Sequence, residues 1–139
     1  MRTLFIIASL LLSACANDTR PPLVATDLRI TAPVPGQTMS AGYLSLTNNT
    51  IEAMNITEVT SPDFASVEIH ESILQDGIAK MRRISSLTIP ASSTVKLNPG
   101  GKHLMLMRPS ANTELVSLSF YDGDTLLLDV QASITARDN

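Results

Sequence analysis

Leu97-Asn98-Pro99-Gly100-Gly101-Lys102-His103-Leu104-Met105-Leu106-Met107 reads as a tight turn that opens into a strand. Proline followed by glycine suits a type II turn, because proline presets φ at the first central position and glycine tolerates a positive φ at the second. Beyond the turn, Leu104 and Leu106 alternate with His103, Met105 and Met107. A period of two is the pattern of a strand with one face on a core. The leucines take that face, and the opposite one carries an imidazole and two thioethers.

The same period extends outward in both directions. Upstream, Val95 and Leu97 alternate, Leu87 and Ile89 run up to Pro90, and Val67 and Ile69 alternate with Ser66, Glu68 and His70. Leu44 and Leu46 alternate as far as Asn48-Asn49, and Leu28 and Ile30 alternate before Pro33, Pro35 and Gly36. Downstream, Val116, Leu118 and Phe120 alternate up to Asp122-Gly123, and residues 125–133 form a last strand with a more continuous apolar run at Leu126-Leu127-Leu128. Eight or so short strands, with turns every eight to twelve residues and no convincing helix, predict a single all-β domain. Its architecture is a Greek-key sandwich or barrel.

The chain has 139 residues, enough for one domain with a core that needs no disulfides. Apolar residues at 44% against 17% charged place it among folded proteins, and a net charge of −3 argues against a nucleic-acid partner. A single Cys excludes an intrachain disulfide framework and every multi-cysteine zinc or iron–sulfur site.

That Cys stands at the end of a leader. Arg2 is a short basic segment, Leu4 to Leu12 is an apolar run too short to span a bilayer, and Leu12-Ser13-Ala14-Cys15 follows. The last four residues resemble a bacterial lipobox, in which the cysteine thiol is lipidated and becomes the mature N-terminus. The resemblance implies a lipoprotein signal peptide over 1–14, a lipidated tether over 15–24 and a β-domain over 25–139. It implies a protein anchored through Cys15 on the periplasmic side of a bacterial membrane. Removing 14 residues from 139 leaves 125, none with a free thiol, which excludes thiol catalysis and thiolate metal sites.

Both histidines, and three of the five methionines other than Met1, lie between residues 70 and 107. If Asp76-Gly77 is a two-residue hairpin turn, facing residues sum to 153. Met81 then faces Ser72, His70 faces Arg83, and His70 and Met81 share a face as diagonal neighbours about 7–8 Å apart. His103 and Met105, two apart, also share a face, about 6.6 Å from each other. Should the two segments meet, they make a site of two imidazoles and two thioethers. Thioethers are soft and neutral and select Cu(I) over zinc, magnesium or calcium. Without a Cys ligand the set is not a blue-copper electron-transfer centre, and it reads as a carrier of Cu(I). The other reading of Met105 and Met107 is the second buried face of a central strand.

The spacing of His70, ten residues, Met81, twenty-one residues, His103-Leu104-Met105 resembles the copper signature of the periplasmic copper chaperones of the PCu(A)C type. So do Val67-Glu68-Ile69-His70-Glu71, Lys80-Met81-Arg82, Ile89-Pro90-Ala91 and the stretch from Leu97 to Met107. Pro35-Gly36, Ala41-Gly42-Tyr43 and Asn48-Asn49 resemble the same family, over residues 25–133 in all. The resemblance implies a cupredoxin-like fold, one Cu(I) held by His70, Met81, His103 and Met105, and a monomer. It also implies transfer by ligand exchange towards the CuA site of cytochrome c oxidase, often beside Sco-type thiol proteins. The chain ends Ser133-Ile134-Thr135-Ala136-Arg137-Asp138-Asn139, without the His- and Met-rich tail of many members, so no second site is expected there. Met39 and Met107 are not ligands by this motif, although Met107 shares the face of Met105 as a spare donor or a lid.

Two other classes compete. One is a metal-free envelope β-sandwich lipoprotein with a structural or adhesion role, which tolerates changes at His70 and Met105. The other is an enzyme, which the residues favour least. No Gly-x-Ser-x-Gly nucleophile motif occurs. Asp122 and Asp124 flank a turn glycine. A two-histidine zinc hydrolase needs a third hard ligand, for which Glu68 has the right parity.

Overall fold

A computed structural model describes residues 19–110 and 114–136. The leader over 1–14 and Cys15 lie outside the described residues. Among the described residues there are eleven strands: β1 (Leu23–Thr31), β2 (Met39–Asn48), β3 (Met54–Ile56), β4 (Glu58–Thr60), β5 (Phe64–Gln75), β6 (Ile78–Arg83), β7 (Leu87–Ile89), β8 (Thr94–Leu97), β9 (Lys102–Pro109), β10 (Leu115–Asp122) and β11 (Thr125–Thr135). Seven of them close a barrel in the order β1-β11-β10-β4-β5-β9-β2, with β2 returning to β1. The β1–β11 pairing is parallel and the other barrel pairings are antiparallel. Closure removes the free sheet edges that an open sandwich would leave. β6 adds to β5, β8 adds to β2, and β3 pairs with β7 outside the barrel.

The alternation read in the sequence is the alternation of the walls. Ile30, Leu44, Leu46, Leu104, Leu106, Val116, Leu118 and Phe120 fill the interior at 2% exposure or less. The turn before β9 forms as expected: the Gly101 amide donates to the Asn98 carbonyl at 3.1 Å, and Gly100 takes φ +79°. The Asp76-Gly77 turn has positive φ at both residues, 53° and 77°, and gives the expected register, with Gln75 opposite Ile78 and Met81 opposite Ser72. A two-residue turn with both φ positive carries the twist its strands need.

Periodicity misses two three-residue strands and two bulges, and marks β6 only through its turn. β3 and β4 have three residues each and too little alternation to register. β6 is exposed at every residue and has no apolar face, so the Asp76-Gly77 turn alone marks it in the sequence. In β1 the register slips between Thr26 and Arg29, where Asp27 takes φ +56°; the alternation of Leu28 and Ile30 with Asp27 and Arg29 holds, and the bulge shifts its parity against Leu23 and Ala25 upstream. The apolar run Leu126-Leu127-Leu128 has a similar cause. Leu128 pairs with Phe120 and Leu126 with Tyr121, leaving Leu127 as the extra residue of a bulge that packs against the core.

Asn48 is fully buried. Its side-chain amide donates to the carbonyls of Glu52, Ile89 and Pro90, and its oxygen accepts from the Thr50 amide and hydroxyl. The sequence marks Asn48 only as a strand end. In the fold it ties the β2–β3 connection to the end of β7 and the β7–β8 connection through backbone groups.

Candidate functional site

β5 and β9 are hydrogen-bonded neighbours, and their register sets the site. His70 lies directly opposite His103, Glu68 opposite Met105, and Ser66 opposite Met107. Directly opposed residues share a face. Met81, opposite Ser72, stands on that face too, because Ser72 is two residues from His70. His70, Met81, His103 and Met105 therefore gather on the outer face of one wall, with Ile69 and Leu104 buried behind them.

Their exposure is uneven. Met81 is 64% exposed, on the β5–β6 arm that continues past the end of β9, whereas His103 is 5% exposed. His70 and Met105 are half-buried. Alternation puts His103 on the non-core face. The face is right, but His103 is covered: the Tyr43 ring lies 6.5 Å away, the His70 ring 6.1 Å away, and Arg29 stacks 5.2 Å over Tyr43. The Glu68 carboxylate touches His70. Met105 and Met107 are half-buried, which overturns the reading of them as a second buried face. Met81, His103 and Met105 line a cleft of about 430 Å³ whose rim includes Val34, Met39, Pro99 and Gly100.

Hydrogen bonds orient both rings. The Glu68 carboxylate lies 2.8 Å from His70 Nε2 and accepts its proton. In the neutral ring the lone pair then sits on Nδ1, a buried atom without a hydrogen-bond partner. A buried unpaired acceptor is costly, and a metal cation is one way to satisfy it. At His103, Nδ1 stands 3.1 Å from the Gly101 carbonyl, which can only accept, so Nδ1 carries the proton and Nε2 the lone pair. The residue that orients each imidazole is thus the arrangement seen around metal-binding histidines. Glu68 is itself held by Arg83 at 3.4 Å. Nearby, Glu71 receives Arg82 at 3.0 Å and Lys102 at 3.1 Å, ties that lower its carboxyl below the ordinary range, the Arg82 hydrogen bond first.

Glu68 was legible only by parity, as a possible hard ligand. In the fold it is spent on His70 Nε2 and Arg83. Among the described residues no three His, Cys, Asp or Glu side chains converge as a metal cluster, so the remaining donors on this face are thioethers. Tyr43 and Gly101 stand in stretches that carry the family resemblance, but their contacts with His103 were not legible, because they depend on β2 and the turn meeting β9.

A small all-β barrel, here with two oriented imidazoles and two thioethers on one outer face, is the architecture of cupredoxin-like domains. Among these, the chain belongs to the LpqE-like family, which it matches over residues 23–132. A relative from Leifsonia xyli subsp. xyli, named "Putative lipoprotein Lxx21020", is 34% identical over 96 residues. Those residues are 65% of this chain and 58% of the relative, so the chain spans less than two thirds of that protein's length. The fold is that of the copper-bound PCuAC domain from PmoF2, with a TM-score of 0.68 at 21% identity over 84% of this chain and 94% of that one. The Cu(I) form of DR1885 from Deinococcus radiodurans superposes with a TM-score of 0.67 at 26% identity, over 86% of this chain and 82% of that one.

Proposed function

We propose that this protein is a Cu(I) carrier of the cell envelope rather than an enzyme. It holds one ion through His70 Nδ1, His103 Nε2 and the sulfurs of Met81 and Met105. The observation that carries the reading is the pair of opposed imidazoles, each with one nitrogen already tied and the other free, beside two thioethers. The copper-bound PCuAC structures with the same fold support it. Soft neutral donors favour Cu(I) without a thiol that an oxidising compartment would consume.

The uneven exposure suggests the order of transfer. Met81 stands on the accessible arm, so an incoming donor displaces it first. Met105 follows, and the buried His103 releases last. The copper stays Cu(I) throughout, each new bond replacing an old one. Cys15 is the lipid anchor in this reading, with 15–24 as the tether that keeps the barrel beside the membrane. The acceptor is the CuA subunit of cytochrome c oxidase or a Sco-type thiol protein, and the carrier acts as a monomer.

The test is a Cu(I) competition titration of the full chain in detergent against a chromophoric chelator, under reducing conditions. One tight equivalent, weakened in both His70→Ala and Met105→Ala, is expected. No competition by the unaltered protein would sink the carrier and favour a metal-free structural lipoprotein.

A further inference from the structure

The outer face carries two more thioethers than the ligand set uses. Met39 lies directly opposite Met107 across the β2–β9 pairing, and Met107 lies two residues from Met105 on the same face. Directly opposed Cβ atoms stand about 4.5–5.5 Å apart. Same-face neighbours along a strand stand about 6.6 Å apart. Met105 itself faces the small Ala41, which leaves room on the side towards Met39. Core packing does not account for the pair, because Met39 is 40% exposed and Met107 is only half-buried. Two hollows adjoin here. Met39 belongs to the rim of the cleft that holds Met81, His103 and Met105, and also to a neighbouring hollow of about 350 Å³ that holds Met107, Ser66 and Glu68. Methionine side chains have three free torsions, so the three sulfurs can converge.

We propose that Met39, Met107 and Met105 form a second, weaker station for Cu(I), made only of thioethers, which receives the ion before it moves into the His/Met site. The inference rests on the carrier reading above. Met105 belongs to both sets and serves as the pivot. The ion keeps its Met105 sulfur bond, loses the bonds to Met39 and Met107, and gains those to His103, His70 and Met81. It remains Cu(I). No proton is released, because His70 Nδ1 and His103 Nε2 already present lone pairs. A thioether-only station excludes zinc, magnesium and calcium by softness.

The test uses the full chain in detergent, labelled with ¹³C at the methionine methyls, and Ag(I) as a redox-inert substitute for Cu(I). In a His70→Ala/His103→Ala variant, Ag(I) should still move the Met39, Met105 and Met107 signals. Adding Met39→Leu and Met107→Leu should abolish that residual binding. If the double histidine variant loses its methyl dispersion, His70→Gln/His103→Gln takes its place, with the same shifts expected. In the otherwise unaltered chain, Met39→Leu/Met107→Leu should leave the tight equivalent's affinity intact and slow its loading from a Cu(I)–chelator complex. Unmoved Met39 and Met107 signals in a folded histidine variant, or an unchanged loading rate, would overturn the station. A missing tight equivalent in the unaltered chain would instead overturn the carrier reading, so the two failures are separable.

Discussion

The two faces of β5 and β9 are built from the same residues taken alternately, yet they do opposite things. Inward, Ile69, Leu104 and Leu106 are buried at 6% exposure or less in a continuous apolar core. Outward, Glu68, His70, His103, Met105 and Met107 form a wall of donors, half-buried apart from the covered His103. The inner face stabilises and the outer face is free to bind. The difference teaches that a two-residue period can separate stability from chemistry on a single pair of strands, because every odd step points away from the core.

The sharpest way to break this separation is Leu106→Ala. It should cost about 2–5 kcal/mol of stability, read by urea unfolding, because a fully buried leucine leaves a cavity. Copper binding should weaken only as far as the fold does. His103→Ala tests the opposite face: it should lower Cu(I) affinity by about a hundredfold, or ~2.7 kcal/mol, while the urea midpoint moves far less than for Leu106→Ala. Equal damage to stability and binding in either variant would refute the division of labour.

Gly42 sharpens the comparison from the inner side. A Cβ there would stand 3.1 Å from Leu104 Cβ and 3.2 Å from Leu106 Cδ1, so Gly42→Ala forces the leucines of β9 to give way. It should cost about 1–3 kcal/mol in thermal or urea unfolding. Glu68→Ala probes the outer side, where the carboxylate orients His70. Cu(I) affinity should fall about tenfold, with Glu68→Gln recovering part of it, and ¹⁵N imidazole spectra should show the His70 tautomer no longer held. Smallest of all is the Glu71 cluster at the strand ends. Arg82 and Lys102 lower its carboxyl, so its stabilising contribution exists above the unfolded carboxylate's ordinary range and is lost as pH falls through the lowered folded value. Glu71→Gln should lower stability slightly near neutrality and leave it unchanged at pH values where Glu71 is protonated, so that the acid side of the stability profile flattens.

The sequence alone determines most of the strands and the parity of each side chain. Alternation needs only a pleated strand and an apolar core, and Asp76-Gly77 sets its hairpin register through local turn geometry, so His70 and Met81 could be placed on one face from residue numbers. The Pro99-Gly100 turn was equally local. What the residues could not decide was whether the hairpin and β9 meet. β6, β7 and β8 intervene between β5 and β9, and nothing local records a pairing at that separation. Barrel closure made them neighbours and set His70 against His103. The same closure brought Tyr43 over His103 and left Met81 on the open arm. Which donors are buried and which are accessible is a property of packing between distant segments, and only the tertiary structure supplies it.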